Sequence, residues 1–376
     1  MNVQLQERGD FAMSIAMLPE VLRWQDAGDV FTRAHEEYVN RVSKELGARL
    51  RALREECPAR GDRLLAAVQG SSDASLMRVL LAPETTSRLL YAGRTDISGL
   101  ADFLDDAFLA EEAIEGHQVT PGRELWTALG DARVLPTGGV LRGPSLMDRV
   151  PLDFDSPNVR LGDPAAAQGR DDPACPTFTS DERGLVLDRL AAAAGLIAAA
   201  GPDVSKFVTT FTKIVVLLKD RHSTFSSGSA GQYIGRSVIG NPHAPAVGDL
   251  DLAEALVHEA IHALLYMHER WEPWVPARFY PPVPCVVSPW SGRNLALRPF
   301  LQACFVWYGI LHFWSRAISN GAVPVARASD RLARAAHGFL RGPLLPRLTP
   351  DCLESLSEPI RTAVGGMQAR VVNAFR

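Results

Sequence analysis

The stretch DLDLAEALVHEAIHALLYMHER, from Asp249 to Arg270, contains an H-E-x-x-H motif at His258, Glu259 and His262. Small and apolar residues surround the motif, which predicts a buried helix. Residues four apart on a helix differ by about 400° of rotation and roughly 6 Å of rise, so the two imidazoles lie on one face. The two rings can therefore bind one metal ion. Glu259 can then reach a water on that ion and act as a general base.

The alternative interpretation of this stretch is an amphipathic core helix that binds nothing. Under that interpretation His258 and His262 are buried residues with ordinary hydrogen bonds. A buried cluster of two histidines and Glu259 without an ion would be energetically costly, which favours the metal site.

The composition limits the classes of protein to consider. The chain has 376 residues, of which 47% are hydrophobic, enough for two domains or one large one. Its net charge of −4 gives no electrostatic reason to expect nucleic-acid binding. The N-terminal sequence does not resemble a signal peptide, and no apolar run is long enough to span a membrane. The five cysteines never form a C-x-x-C pair, which predicts reduced thiols in a cytoplasmic protein. The oligomeric state cannot be read from the sequence.

The pattern along the chain predicts a mainly α protein of the α+β class. Residues 1–150 are expected to form a helical scaffold or substrate-docking region, and residues 151–180, rich in Pro, Gly and Asp, a linker or lid. Residues 181–376 are expected to form the metal-binding catalytic region. An acidic cluster from Asp102 to Glu112 is interpreted as a solvated helix face rather than a cation site.

Short strands and caps are expected around the metal helix. Residues 213–218 predict a buried strand, 226–231 a turn and 232–240 an edge strand. Thr179 with Glu182 predicts a capping box, and Asp251 with Glu254 another at the start of the metal helix. This order gives a layout like that of zinc peptidases, in which an edge strand beside the metal helix pairs with a peptide. A long apolar helix at residues 297–318 is expected to pack against the metal helix.

Two histidines do not complete a metal site. Zinc usually takes three protein ligands and a water, while non-haem iron(II) takes two histidines and a carboxylate. The candidates for a third ligand are His268, Glu272, His312 and Gln302. If the helix continues through His268, that residue lies about 15 Å from His258 and cannot share the ion.

Several pieces between about residues 205 and 315 occur in a distinctive order. They are SSGS, I-G-x-S-V-I, the motif helix AEALVHEAIHALLY, SPW, and a helix with L-x-A-x-F-V-W. Together they resemble the H-E-x-x-H proteins of bacterial peptide-modification clusters, which are α-ketoglutarate-dependent peptide β-hydroxylases. The resemblance implies iron(II), O₂ and α-ketoglutarate as cofactor and co-substrates. The implied substrate is a residue in a ribosomally made precursor peptide.

The resemblance also implies roles for particular residues. His258 and His262 match the metal ligands, and Gln302 stands where the third ligand, a histidine, is expected. Ser291 stands where an arginine is expected, and the nearby Arg293 and Arg298 could supply the cation for the distal carboxylate of α-ketoglutarate. The departures at Ser291 and Gln302 raise the alternatives of a changed cofactor, a changed reaction or lost activity.

Three functions therefore remain open from the sequence. The first is an iron(II) and α-ketoglutarate-dependent oxygenase acting on a peptide or carrier-bound amino acid, in which Glu259 orients a ligand. The second is a zinc peptidase in which Glu259 is the general base. The third is a non-catalytic relative that binds a peptide or a partner enzyme.

Overall fold

The computed structural model describes residues 13–91, 97–157, 159, 176–220, 224–279 and 282–375. Helices contain 61% of the residues and strands 10%, so the protein is mainly α with small sheets, as the sequence predicts. Within these described ranges, no helix combines the length and apolar character needed to cross a membrane. Most of the segment expected to be a linker or lid, residues 158 and 160–175, lies outside the described residues.

The chain forms two compact units, each built from separated segments. One comprises Met1–Glu37, Ala193–Val208 and Leu256–Arg376, and the other comprises Tyr38–Ala192 and Thr209–Ala255. These units divide the chain differently from the consecutive ranges expected from the sequence. All candidate metal-site residues belong to the first unit.

Six α-helices lie before residue 150 in the described part of the chain. They are α1 (Leu18–Val21), α2 (Gly28–Glu56), α3 (Pro58–Gly70), α4 (Asp73–Leu80), α5 (Pro83–Leu90) and α6 (Ile97–Ile114). The acidic cluster lies on α6, where Asp105 accepts hydrogen bonds from Arg60 at 2.9 Å and from Arg63 at 2.7 Å. Arginines on α3 therefore balance part of the acidic face.

Three small sheets contain the strands. The first is β1 (Leu125–Trp126), β2 (Ala132–Val134) and β3 (Val140–Arg142); the second has five strands, β4 (Ser145–Leu146), β5 (Val150–Asp153), β6 (Ile214–Leu218), β7 (Ser226–Gly228) and β8 (Arg236–Gly240). The third is the hairpin of β9 (Pro284–Val287) and β10 (Asn294–Ala296). The strands β1 to β5 were not expected, because each is too short to show an alternating pattern.

The five-stranded sheet corrects two expectations. Its order is β4-β5-β6-β8-β7, with β5, β6 and β8 parallel. The strand predicted as an edge, β8, is instead flanked by β6 and β7, so it cannot offer an edge to a peptide. The residues predicted as a turn begin as β7, in which Ser227 pairs with Ile239. Short polar strands such as β7 carry no hydrophobic signal.

Capping explains where two helices begin. In α7 (Ser180–Ala200), Thr179 and Glu182 form the predicted capping box, with backbone-to-side-chain bonds of 2.8 and 3.2 Å. In α9 (Asp249–Trp271), the carboxylate of Asp251 accepts from the backbone amide of Gly248 at 2.9 Å. Asp251 thus lies inside the first turn and reaches back, rather than preceding the helix as expected. Between these two helices lies α8 (Pro202–Phe211).

The buried helix α10 (Leu297–Ser319) packs against α9, as predicted. The two helices are in close contact at Gly309, where a Cβ would lie 2.7 Å from Cδ1 of Ile261 on α9. The carbonyl of Gly309 also accepts a hydrogen bond of 3.0 Å from the indole of Trp24. The absence of a side chain at this position lets the two helices approach closely. Helices α11 (Val325–Leu340), α12 (Pro350–Ser355) and α13 (Glu358–Ala374) follow.

Candidate metal centre

The two motif histidines lie side by side on α9. Their ring centroids are 4.9 Å apart, with ring planes at 57°. With metal–nitrogen bonds of about 2.1 Å and a ring centre about 1.1 Å behind its nitrogen, two ligands at about 90–110° place their centroids about 4.5–5.2 Å apart. The observed separation therefore fits one metal ion bound by both rings.

His262 is held by Gln302 of α10. The distance from Nδ1 of His262 to Oε1 of Gln302 is 3.1 Å. The other end of the amide, Nε2, donates to Oε2 of Glu269 at 2.6 Å. Burial, together with the charge of the neighbouring His258, lowers the pKa of His262 to about 4, so the ring is neutral near pH 7.

Glu269 is a carboxylate close to this arrangement that was not among the residues predicted from the sequence. It is 8% exposed, and burial raises its pKa, while Arg298 opposes that rise. Both Nε and Nη2 of Arg298 lie 2.8 Å from its Oε2. The signal that could have found it is spacing: Glu269 follows His262 by seven residues, which is two helical turns on the same face.

Aromatic rings flank both histidines. Tyr266 stacks on His262, with centroids 5.6 Å apart and planes at 18°. Trp307 meets His258 edge to face at 6.3 Å, and Trp290 stacks on Trp307 at 6.1 Å. The indole of Trp290 lies against Gly338 of α11 and donates to the carbonyl oxygen of Ala335 at 3.0 Å.

Two arginines lie over these rings. The guanidinium of Arg298 is 5.3 Å from the centre of Tyr266, and that of Arg334 is 5.7 Å from the centre of Trp307. Arg334 was not predicted from the sequence, because nothing in the pattern of α11 places it near the motif. Arg293 is exposed in the turn between β9 and β10, where its carbonyl accepts from Ser288 at 2.8 Å.

The remaining candidates have other surroundings. Helix α9 continues past His268, which is fully buried and accepts a hydrogen bond of 3.0 Å from the indole of Trp274. Glu272 lies 3.5 Å from the Nε2 of the same ring. His312 packs edge to face on Tyr308 at 4.5 Å, and burial lowers its pKa to about 4. Among the described residues, no group of three or more His, Cys, Asp or Glu side chains surrounds a common point.

Glu259 is buried in the protein interior, unlike the two histidines of the motif. It is 1% exposed, whereas His258 and His262 are both partly exposed. The carboxylate is therefore more deeply buried than the two rings it separates.

Comparison with known proteins gives no assignment. No family model matches the chain, and no curated protein matches it either.

Proposed function

We propose that this chain is an iron(II) and α-ketoglutarate-dependent oxygenase that hydroxylates a peptide or a carrier-bound amino acid. We place its action in the cytoplasm, within a natural-product pathway that modifies ribosomally made peptides. The observation that carries the proposal is the pair of imidazoles, His258 and His262, with centroids 4.9 Å apart on one helix face. The resemblance of the surrounding sequence supplies the reaction class.

Iron(II) together with α-ketoglutarate would supply the oxidation of a substrate C–H bond by O₂, with release of succinate and CO₂. The chain's own part is to hold and shield the reacting groups. His258 and His262 would bind the ion, while Trp307 and Tyr266 pack against the two rings and hold them in place. The sequence predicts Gln302 as a third ligand, but its Oε1 lies 3.1 Å from Nδ1 of His262, and we assign it no direct bond to the ion.

The burial of Glu259 favours the oxygenase over a zinc peptidase. A general base must face the water that it deprotonates, within about 3 Å of it. Glu259 is 1% exposed and separates two partly exposed histidines, an arrangement better suited to orienting the metal helix. The oxygenase reaction needs no carboxylate base at this position.

Arg334 is the cation that we assign to the distal carboxylate of α-ketoglutarate ahead of Arg298, and the sequence-predicted Arg293 is the alternative. Arg298 already forms two 2.8 Å contacts with the buried Glu269, so its charge is largely balanced. Arg334 is exposed, and its guanidinium lies over Trp307, the ring that meets His258. A guanidinium placed on an aromatic face at the rim of a site is well suited to bind a carboxylate.

The first experiment tests the metal and the reaction. The protein is loaded anaerobically with iron(II) or zinc, and bound metal is measured after gel filtration. We expect one iron per chain and succinate production that needs both α-ketoglutarate and O₂. His258→Ala and His262→Ala should lose the metal, whereas the exposed His337→Ala should keep it. Retention of zinc alone, with no succinate from the iron-loaded protein, contradicts the proposal.

The second experiment tests Arg334. Binding of α-ketoglutarate and of 2-oxovalerate, which lacks the distal carboxylate, is followed by tryptophan fluorescence of the metal-loaded protein. Arg334→Gln should weaken α-ketoglutarate binding about 10- to 100-fold and leave 2-oxovalerate unchanged. Arg341→Gln, an exposed arginine following α11, is the matched control. If Arg293→Gln weakens binding instead, the sequence-based candidate is the correct one.

The third experiment separates the peptidase. Glu259→Gln keeps the shape of the side chain and removes its capacity as a base. A peptidase should lose about 10²-fold or more of its cleavage rate with metal content unchanged. The oxygenase should retain α-ketoglutarate turnover in this variant.

A further inference from the structure

Gln302 links His262 to a buried carboxylate through hydrogen bonds whose direction is fixed. Oε2 of Glu269 receives contacts of 2.8 Å from both Nε and Nη2 of Arg298. An arginine can only donate, so this oxygen acts as an acceptor. The same oxygen lies 2.6 Å from the Gln302 amide, and that end of the amide must therefore be the NH₂ group.

The orientation of the amide then determines which nitrogen of His262 carries a proton. With its NH₂ group on Glu269, Gln302 presents Oε1 to the ring at 3.1 Å. A carbonyl oxygen can only accept, so Nδ1 of His262 carries the hydrogen. In the neutral ring this leaves Nε2 with a free electron pair. Histidines that bind metals donate from their other nitrogen in the same way.

We infer that Glu269 is a positioning residue for the metal centre, which acts through Gln302 to hold His262 in the tautomer that binds the ion. The inference rests on the proposed function for the identity of the ion. Arg298 completes the arrangement by supplying the positive charge that a buried carboxylate needs. Since the sequence resemblance places Arg298 and Gln302 in direct cofactor and metal contact, this assignment gives both residues a different role.

Gln302 and Glu269 are buried, and this burial strengthens the hydrogen bonds that connect them to His262. Gln302 is 4% exposed and Glu269 is 8% exposed, so bulk water does not compete for these hydrogen bonds. Buried hydrogen bonds of this kind lose most of their value when one partner is removed, because the remaining group stays unsatisfied. A substitution at Glu269 should therefore change the tautomer of His262, although the two side chains are linked only through the Gln302 amide.

The test reads the tautomer directly in metal-free protein labelled with ¹⁵N in its histidine rings. The His262 signals are identified by their loss in His262→Gln. The unmodified protein should show the hydrogen on Nδ1. Gln302→Leu and Glu269→Leu should each move the hydrogen toward Nε2. Glu269→Gln can keep an oxygen facing Arg298 and Gln302, and it should retain most of the Nδ1–H form.

Metal affinity, measured by cobalt(II) titration, should follow the same order. Gln302→Leu and Glu269→Leu should each weaken cobalt binding about 10- to 100-fold. The double variant should bind cobalt as tightly as the weaker-binding of the two single variants, because both act through the same hydrogen bonds. Gln368→Leu is the matched control. Gln368 also bridges backbone groups, at 2.9 Å from Leu344 and Phe339, and both of these partners lie outside the motif helix. Its loss should lower stability and leave cobalt affinity unchanged.

Each outcome has a defined meaning. A hydrogen on Nε2 in the unmodified protein overturns the inference, and so does a tautomer that Glu269→Leu leaves unchanged. Loss of the hydrogen from Nδ1 when cobalt binds shows that His262 does not bind the ion in the inferred tautomer, and also overturns it. Because the tautomer is measured without metal, a protein that binds no metal disproves the proposed function while the positioning result is still obtained.

Discussion

Gly338→Ala tests whether the packing beside the candidate site is as tight as the structure indicates. Gly338 lies on α11, directly under the indole of Trp290. A Cβ at this position would lie 2.5 Å from Cδ2 of that ring and closer still to two other ring atoms. The ring cannot yield like the end of a flexible chain, because its Nε1 donates to Ala335 and its face stacks on Trp307.

The expected magnitude follows from opposing contributions. Overpacking a close contact costs about 1–3 kcal/mol, and loss of the Trp290 hydrogen bond adds about 1 kcal/mol. Alanine in a helix returns up to about 1 kcal/mol relative to glycine. We therefore expect Gly338→Ala to lower the free energy of unfolding by about 1–3 kcal/mol. Urea unfolding followed by circular dichroism at 222 nm measures it.

Gly366→Ala is the matched control, and it should change the free energy of unfolding in the opposite direction. Gly366 lies in the middle of α13 and is exposed, and a Cβ added there would meet none of the described atoms within 4 Å. Gly366→Ala should raise the free energy of unfolding by about 0.5–1 kcal/mol through helix propensity alone. If Gly338→Ala stabilises the protein as much as Gly366→Ala does, then Trp290 is not seated against α11 and the reasoning is wrong.

Three further predictions concern stability. Burial raises the pKa of Asp153 to about 6, so the stability that its protonated form provides is lost as pH rises from about 4 through 6. Asp153→Asn should therefore raise the free energy of unfolding by about 1–3 kcal/mol at pH 8 and change it little at pH 4, as measured by urea unfolding. Burial lowers the pKa of His268 to about 4, so stability should fall as pH drops from about 6.5 to 4, and His268→Gln should flatten that slope. Thr179→Ala removes the side-chain oxygen that caps α7 and should lower the free energy of unfolding by about 1 kcal/mol. Calorimetry should show this as a lower thermal midpoint.

The long periodic segments were predictable because helices repeat a strong signal. The helix containing the motif, the buried helix after Leu297 and the capping box at Thr179 all occur where the sequence indicates. The short strands were not predictable, since a three-residue strand such as β7 contains less than two periods of alternation. For the same reason, the sequence could not tell that β8 has a neighbour on each side.

At the candidate site, the sequence indicated the histidines, Gln302 and Arg298, but not the other groups around them. Glu269 and Tyr266 share the helix face of His262 and could have been found by counting turns of α9. Arg334 and Trp290 could not, because they approach through tertiary packing of α11 and the β9–β10 hairpin. Periodicity describes one helix at a time, and contacts between helices depend on registers that it does not contain.

The position of Gln302 shows why a single substitution in a motif is hard to interpret from sequence. A ligand replaced by a weaker one suggests lost activity when each position is considered alone. In the structure the same amide contacts His262 at 3.1 Å and Glu269 at 2.6 Å, and Arg298 balances that carboxylate. A neutral histidine at position 302 could exchange its donor and acceptor nitrogens by a change of tautomer, whereas the amide always accepts at its oxygen and donates at its NH₂ group. The residue at 302 is therefore best understood together with Glu269 and Arg298, as one polar group that sets the chemistry of His262.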